Sequence, residues 1–125
     1  MTSPHILIVG AGSVGKRHAG NLRALGCSVA GMDPREDRRA EFAEAMAGAP
    51  TYPTLEAALA EGRFDGAVVC SPTAFHVDQC LSVLAQGLPI LLEKPVARDL
   101  AAAERLATAL DDCNGKLLLG YTWRW

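Results

Sequence analysis

Three glycines spaced Gly10-x-Gly12-x-x-Gly15 follow the apolar run Ile6-Leu7-Ile8-Val9 and lead straight into a helical pattern. Between a strand and a helix, this spacing makes a phosphate-binding turn. Gly10 permits the tight bend, Gly12 lets the backbone approach a pyrophosphate, and Gly15 lets the helix pack closely on the strand. The N–H groups that open the helix, at Ser13, Val14 and Gly15, then face the anion. Asp33, 18 residues beyond Gly15, is placed to accept hydrogen bonds from an adenosine ribose. Its plainer role would be to cap the helix that opens at Pro34. A carboxylate there repels a 2′-phosphate and favours NAD, while Arg35, Arg38 and Arg39 leave NADP open.

Other residues carry weaker signals. Lys16 and Arg17 stand in the first turn of the first helix, where the helix dipole disfavours cations unless an anion is bound nearby or both side chains reach water. His18 shares a helical stripe with Val14 and Leu22 and reads as a structural histidine facing the sheet. Ser71-Pro72-Thr73 ends another apolar strand, and His76 follows it into a helix, near the strand ends where ligands of open α/β sheets bind. From spacing alone, His76 belongs equally to a groove or to the surface. Glu93-Lys94-Pro95 closes a further strand. Lys94 could give a proton to a carbonyl, or polarise it, if burial or neighbouring charge lowered its pKa. In isolation, a lysine before proline in a turn reads as a solvated side chain.

The elements that must position these residues follow from periodicity. Strands are expected at His5 to Val9, Ser28 to Met32, Gly66 to Cys70, Pro89 to Leu92 and Lys116 to Gly120, with Thr51-Tyr52 as a short edge strand. Helices lie between them. The first has Val14, His18, Leu22 and Leu25 inward and stops at Gly26. The second buries Phe42, Ala43 and Met46, and the third starts at a Thr54 cap and runs through Leu55, Ala58 and Leu59 to Gly62. The fourth carries Val77, Cys80, Leu81 and Leu84, and the last, capped by Asp99, buries Ala102, Leu106, Ala109, Leu110 and Cys113. Strand-helix alternation at this spacing makes right-handed βαβ units and a doubly wound parallel sheet, the Rossmann fold, in a single domain.

A chain of 125 residues, half of them apolar and 21% charged, fits one globular domain rather than a disordered segment. A net charge of −2 gives no reason to expect nucleic acid, and no apolar run reaches the roughly 18 residues of a membrane helix. The first residues lack the pattern of a signal peptide, so a cytoplasmic location is expected. Cys27, Cys70, Cys80 and Cys113 form no Cys-x-x-Cys pair and read as reduced, small buried side chains, with no metal site among them. The ending Tyr121-Thr122-Trp123-Arg124-Trp125 places two tryptophans where nothing follows to cover them. That marks either the start of a connection to another domain, with 1–120 as the cofactor-binding unit, or a surface that pairs with a second copy.

Taken in order, Gly10-Ala11-Gly12-Ser13-Val14-Gly15 with His18, Ser71-Pro72 with His76, Glu93-Lys94-Pro95, and Gly120-Tyr121 with Arg124 resemble the amino-terminal domain of the Gfo/Idh/MocA oxidoreductases. The resemblance covers essentially the whole chain. It implies binding of NAD or NADP and hydride exchange with a sugar, inositol or similar polyol. It also implies that Lys94 meets nicotinamide and substrate, and that Ser71, Pro72, His76 and Glu93 line the cofactor groove. Thr73 departs from the family, which often has Asn there. Such proteins continue into a second domain that bears the substrate pocket, so this chain by itself is expected to bind cofactor without turnover. The alternative is a non-catalytic Rossmann module that senses a nucleotide or serves as an interaction subunit.

Overall fold

A computed structural model of the chain describes residues 2–120. The aromatic ending from Tyr121 to Trp125 lies outside the described residues, as do the expectations placed on it. Six strands, β1 (His5–Val9), β2 (Ser28–Met32), β3 (Thr51–Tyr52), β4 (Gly66–Val69), β5 (Ile90–Glu93) and β6 (Leu117–Gly120), form one sheet in the order β3-β2-β1-β4-β5-β6. Every pairing is parallel. The order reverses between β1 and β4, which leaves a crevice at the carboxyl ends of these strands.

Parallel strands are covered on both faces, and side chains alternate between them. Leu7, Val9, Ala67, Val69, Ile90 and Leu92 point to one layer, with α3 (Leu55–Glu61), α4 (His76–Leu84) and α5 (Leu100–Cys113). Ile8, Val29 and Val68 point to the other, with Ala19 of α1 (Ser13–Ala24), Phe42 of α2 (Glu36–Ala45) and Met46 just past its end. Gly31 in β2 makes room for the Phe42 ring, because a Cβ there would lie 2.7 Å from its Cδ1.

Three expectations need correction. The buried residues of α1 are Gly15 and Ala19, while Leu25 is 80% exposed. The small residues face inward because a Cβ at Gly15 would already lie 2.0 Å from the Gly10 carbonyl oxygen, and Leu25 stands past the last helical residue. Cys113 is exposed, since α5 ends there and Asn114 turns left-handed at φ 51°. Helix α2 opens two residues later than Pro34 at position one would require: Glu36 is its first residue and Arg35 its N-cap. The expected caps on the other helices are present, with Thr54 accepting from the Ala57 N–H and Asp99 from the Ala102 N–H.

Candidate cofactor-binding site

Where β1 ends, the Gly10 N–H donates to the Met32 carbonyl and Gly10 takes φ 102°, a conformation that side chains resist. A Cβ at Gly10 would also collide with the Ser71 backbone nitrogen at 2.8 Å, so this turn is pressed against the end of β4. The Cys70 thiol reinforces the junction by donating to the Gly10 and Val9 carbonyls at 3.3 and 3.5 Å. Burial is the main cause that pushes this thiol up to about 12, with Glu93 adding negative charge nearby.

Helix α1 then begins without an acidic residue in its first turn and without a side-chain cap. Its first intrahelical bond runs from the Lys16 N–H to the Gly12 carbonyl, so the N–H groups of Ser13, Val14 and Gly15 have no acceptor within the helix. They open into a cleft of about 680 Å³ lined by Gly10, Gly12, Ser13, Val14 and Gly15 on one side. Asp33, Arg35, Arg38 and the Pro53 to Glu56 segment close a second side, and Ser71, Pro72, Phe75 and Gln79 a third. A Cβ at Gly12 would meet nothing nearer than Arg38 Nη1 at 3.8 Å, so the space over this glycine is open.

Asp33 is 3% exposed and is oriented by backbone donors. Oδ2 accepts from the Ala11 N–H at 3.0 Å and Oδ1 from the Arg35 N–H at 2.9 Å. Each carboxylate oxygen has a second lone pair free for a ligand hydroxyl. The three neighbouring arginines separate into distinct tasks. Arg39 donates to the Asp33 and Pro34 carbonyls, Arg35 pairs with Asp37 on the surface, and Arg38 Nη1 stands 3.9 Å from Asp33 Oδ2. Lys16 reaches Glu41 at 3.6 Å and Arg17 reaches Glu93 at 3.9 Å, so both cations of the first turn lie near carboxylates.

The remaining candidates form a neighbouring group. Ser71, on the cleft wall, donates its hydroxyl to Gln79. His76 does not line the cleft. It is 1% exposed, with Nε2 2.8 Å from the Ser71 carbonyl and Nδ1 2.8 Å from the Pro95 carbonyl. A neutral imidazole donates from only one nitrogen, so it donates to one of these two carbonyls at a time. Glu93 belongs to β5, paired with Gly120, and its Oε1 accepts from His18 Nε2 at 2.6 Å. His18 is thus a satisfied structural histidine, though its partner lies 75 residues away. Lys94 follows, exposed, in a cis peptide with Pro95.

Gln79, Cys70 and the Pro53 to Glu56 segment line the cleft without a sequence signal that placed them there. The rule that ligands sit at the carboxyl ends of strands would have directed attention to the segment after β3 and to Cys70 after β4. Gln79 gave no such signal, being one of four polar residues on α4 with His76, Asp78 and Ser82. Among the described residues, no three His, Cys, Asp or Glu side chains gather as a metal site, and no helix is long and apolar enough to cross a membrane.

Comparison with known proteins agrees with this geometry. The chain is 33% identical to the rhizopine catabolism protein MocA of Rhizobium meliloti over 126 residues, covering 99% of this chain and 39% of that protein. It is 32% identical to an inositol 2-dehydrogenase of Streptomyces avermitilis over 107 residues, covering 83% of this chain and 31% of the relative. The crystal structure of the WlbA dehydrogenase from Bordetella pertussis, in complex with NADH and UDP-GlcNAcA, superposes with a TM-score of 0.88 at 25% identity, covering 94% of this chain and 37% of that one. The chain thus spans between three and four tenths of the length of these proteins. Residues 5–121 match the family model for oxidoreductases with an NAD-binding Rossmann fold, and the chain belongs to that Gfo/Idh/MocA family as its NAD-binding domain.

Proposed function

We propose that the cleft holds NAD in preference to NADP, and that the chain supplies the cofactor half of an oxidoreductase acting on a sugar or inositol-type hydroxyl or carbonyl. The observation that carries this reading is the convergence of unpaired α1 N–H groups, open space over Gly12 and the oriented Asp33 carboxylate in one cleft. In this reading Ser13, Val14 and Gly15 donate to the pyrophosphate and Asp33 accepts from the adenosine ribose hydroxyls. Arg38, 3.9 Å from the Asp33 carboxylate, limits the discrimination against a 2′-phosphate. Bound nicotinamide would accept or donate the hydride.

Ser71 and Pro72 wall the cleft, and Lys94 is the group we assign to the reacting end, where it would hold or deliver a proton at the substrate oxygen. Lys94 is exposed among the described residues, so cofactor, substrate or further protein would enclose it at the reacting end. The relatives are more than twice as long as this chain, and we assign the substrate pocket to the portion they have beyond the match. Residues 1–120 then form the cofactor domain and 121–125 the start of the connection. Four unpaired thiols favour a reducing, cytoplasmic setting. Calorimetric titration of the chain with NADH tests the reading: saturable binding is expected, and no detectable heat at millimolar cofactor would overturn it.

A further inference from the structure

Glu93-Lys94-Pro95 is gripped at both ends by histidines from different helices, and neither histidine reaches the cleft. On one side, His18 of α1 donates Nε2 to Glu93 Oε1 at 2.6 Å; both side chains are 19% exposed, and Arg17 adds positive charge at 3.9 Å. On the other, His76 at the start of α4 is buried and faces the Pro95 carbonyl with Nδ1 and the Ser71 carbonyl with Nε2, each at 2.8 Å. Lys94 lies between the two grips and is exposed. A long side chain on a free loop would sample many positions, whereas a lysine whose two neighbours are fixed has a defined backbone origin. Ser71 also lines the cleft, so His76 connects the cleft wall to the lysine loop through one ring.

We propose that His18 and His76 are positioning residues that set Lys94 relative to the cofactor cleft, His18 through the Glu93 carboxylate and His76 through the Pro95 and Ser71 carbonyls. The proposal rests on the assignment of Lys94 to the reacting end of the cofactor. Neither histidine takes part in proton transfer to substrate. Each holds the backbone from which Lys94 extends.

The test uses the 125-residue chain and two probes, NADH and ADP-ribose, which lacks the nicotinamide. His18→Leu removes the donor to Glu93, and His18→Gln restores an N–H at nearly the same reach. His76→Asn removes the ring that spans the Pro95 and Ser71 carbonyls. In His18→Leu, backbone order parameters measured by NMR at Glu93, Lys94, Val96 and Ala97 should fall from about 0.85 to below about 0.6 while those of β1 and β4 stay unchanged. NADH affinity should fall about tenfold, the effect of one lost charge-assisted hydrogen bond, with ADP-ribose affinity within about twofold of the parent. His18→Gln should recover both values, and His76→Asn should loosen the same four residues without unfolding the sheet. Unchanged order parameters in both His18→Leu and His76→Asn would overturn the proposal, as would equal losses for NADH and ADP-ribose. Failure of the parent chain to bind ADP-ribose would instead defeat the cofactor assignment, and the order parameters of the free chain would still decide the role of the histidines.

Discussion

Replacing Gly12 by valine separates binding from folding more cleanly than any other change at the turn. Gly12 is the N-cap of α1 at φ −75°, a value open to any residue, and a Cβ there finds its nearest neighbour 3.8 Å away at Arg38 Nη1. The substitution should therefore cost the fold only about 1 kcal/mol, the usual penalty for a poor cap. The added side chain projects into the cleft over the N–H groups of Ser13, Val14 and Gly15. If it holds a pyrophosphate away from two of them, two charge-assisted hydrogen bonds worth about 1.5–3 kcal/mol each are lost. The sum is about 3–6 kcal/mol, or roughly a hundredfold to ten-thousandfold in dissociation constant. Titration with NADH, followed by nicotinamide fluorescence and checked by calorimetry, measures it directly, with urea unfolding run beside it. Gly12→Val that unfolds like the parent and binds NADH within threefold of it would refute the assignment of this turn to the pyrophosphate.

Further outcomes follow from other contacts. Asp33→Ser should move the NADH to NADPH affinity ratio toward NADPH by about tenfold or more, because it removes the carboxylate that repels a 2′-phosphate. It should also cost about 1–3 kcal/mol in chemical denaturation, since the Ala11 and Arg35 N–H groups lose their acceptors. Burial pushes Cys70 and Cys80 up to about 12, so at pH 8 only about one thiol in ten thousand at each is thiolate. Mass-spectrometric footprinting with a thiol reagent should label exposed Cys113 first and leave Cys70 and Cys80 untouched until denaturant is added; rapid native labelling of Cys70 would contradict its packing. Phe42→Ala should destabilise the chain by about 3–5 kcal/mol in denaturant titration, because the ring is fully buried over Gly31.

Local patterns made much of the fold readable. The strand from His5 to Val9, the Thr54 and Asp99 caps and the turn at Asn114-Gly115 are each decided by a few adjacent residues, and each stands where its residues imply. On α1, periodicity holds at Leu22, which packs against the core, but fails at Leu25, and next to the Gly10 carbonyl the helix demands small residues. Glu93 was read as a turn residue because proline follows it closely, yet pairing with Gly120 extends β5 through it. The Gly12 turn and Asp33 were legible because their spacing is itself the signal. The bond between His18 and Glu93 was not, because it joins positions 75 residues apart and nothing near either names the other. His76 stands beside a strand end as its position implies, but only the fold shows the buried ring lying between the Ser71 and Pro95 carbonyls.

The glycine turn is contiguous in sequence, but its support is not. β1 pairs with β4 from Ile6 against Gly66 onward, and the thiol that holds the Gly10 carbonyl belongs to Cys70, 60 residues later. During synthesis, Gly10 to Gly15 leave the ribosome early and must wait for more than half of the chain before the surface beneath them exists. The loop that must close is long, so this pairing is a slow, late event compared with formation of α1 and α2. The element nearest the amino terminus therefore gains its support only once β4 is present, and a nascent chain stalled before Gly66 would carry the whole fingerprint without a site.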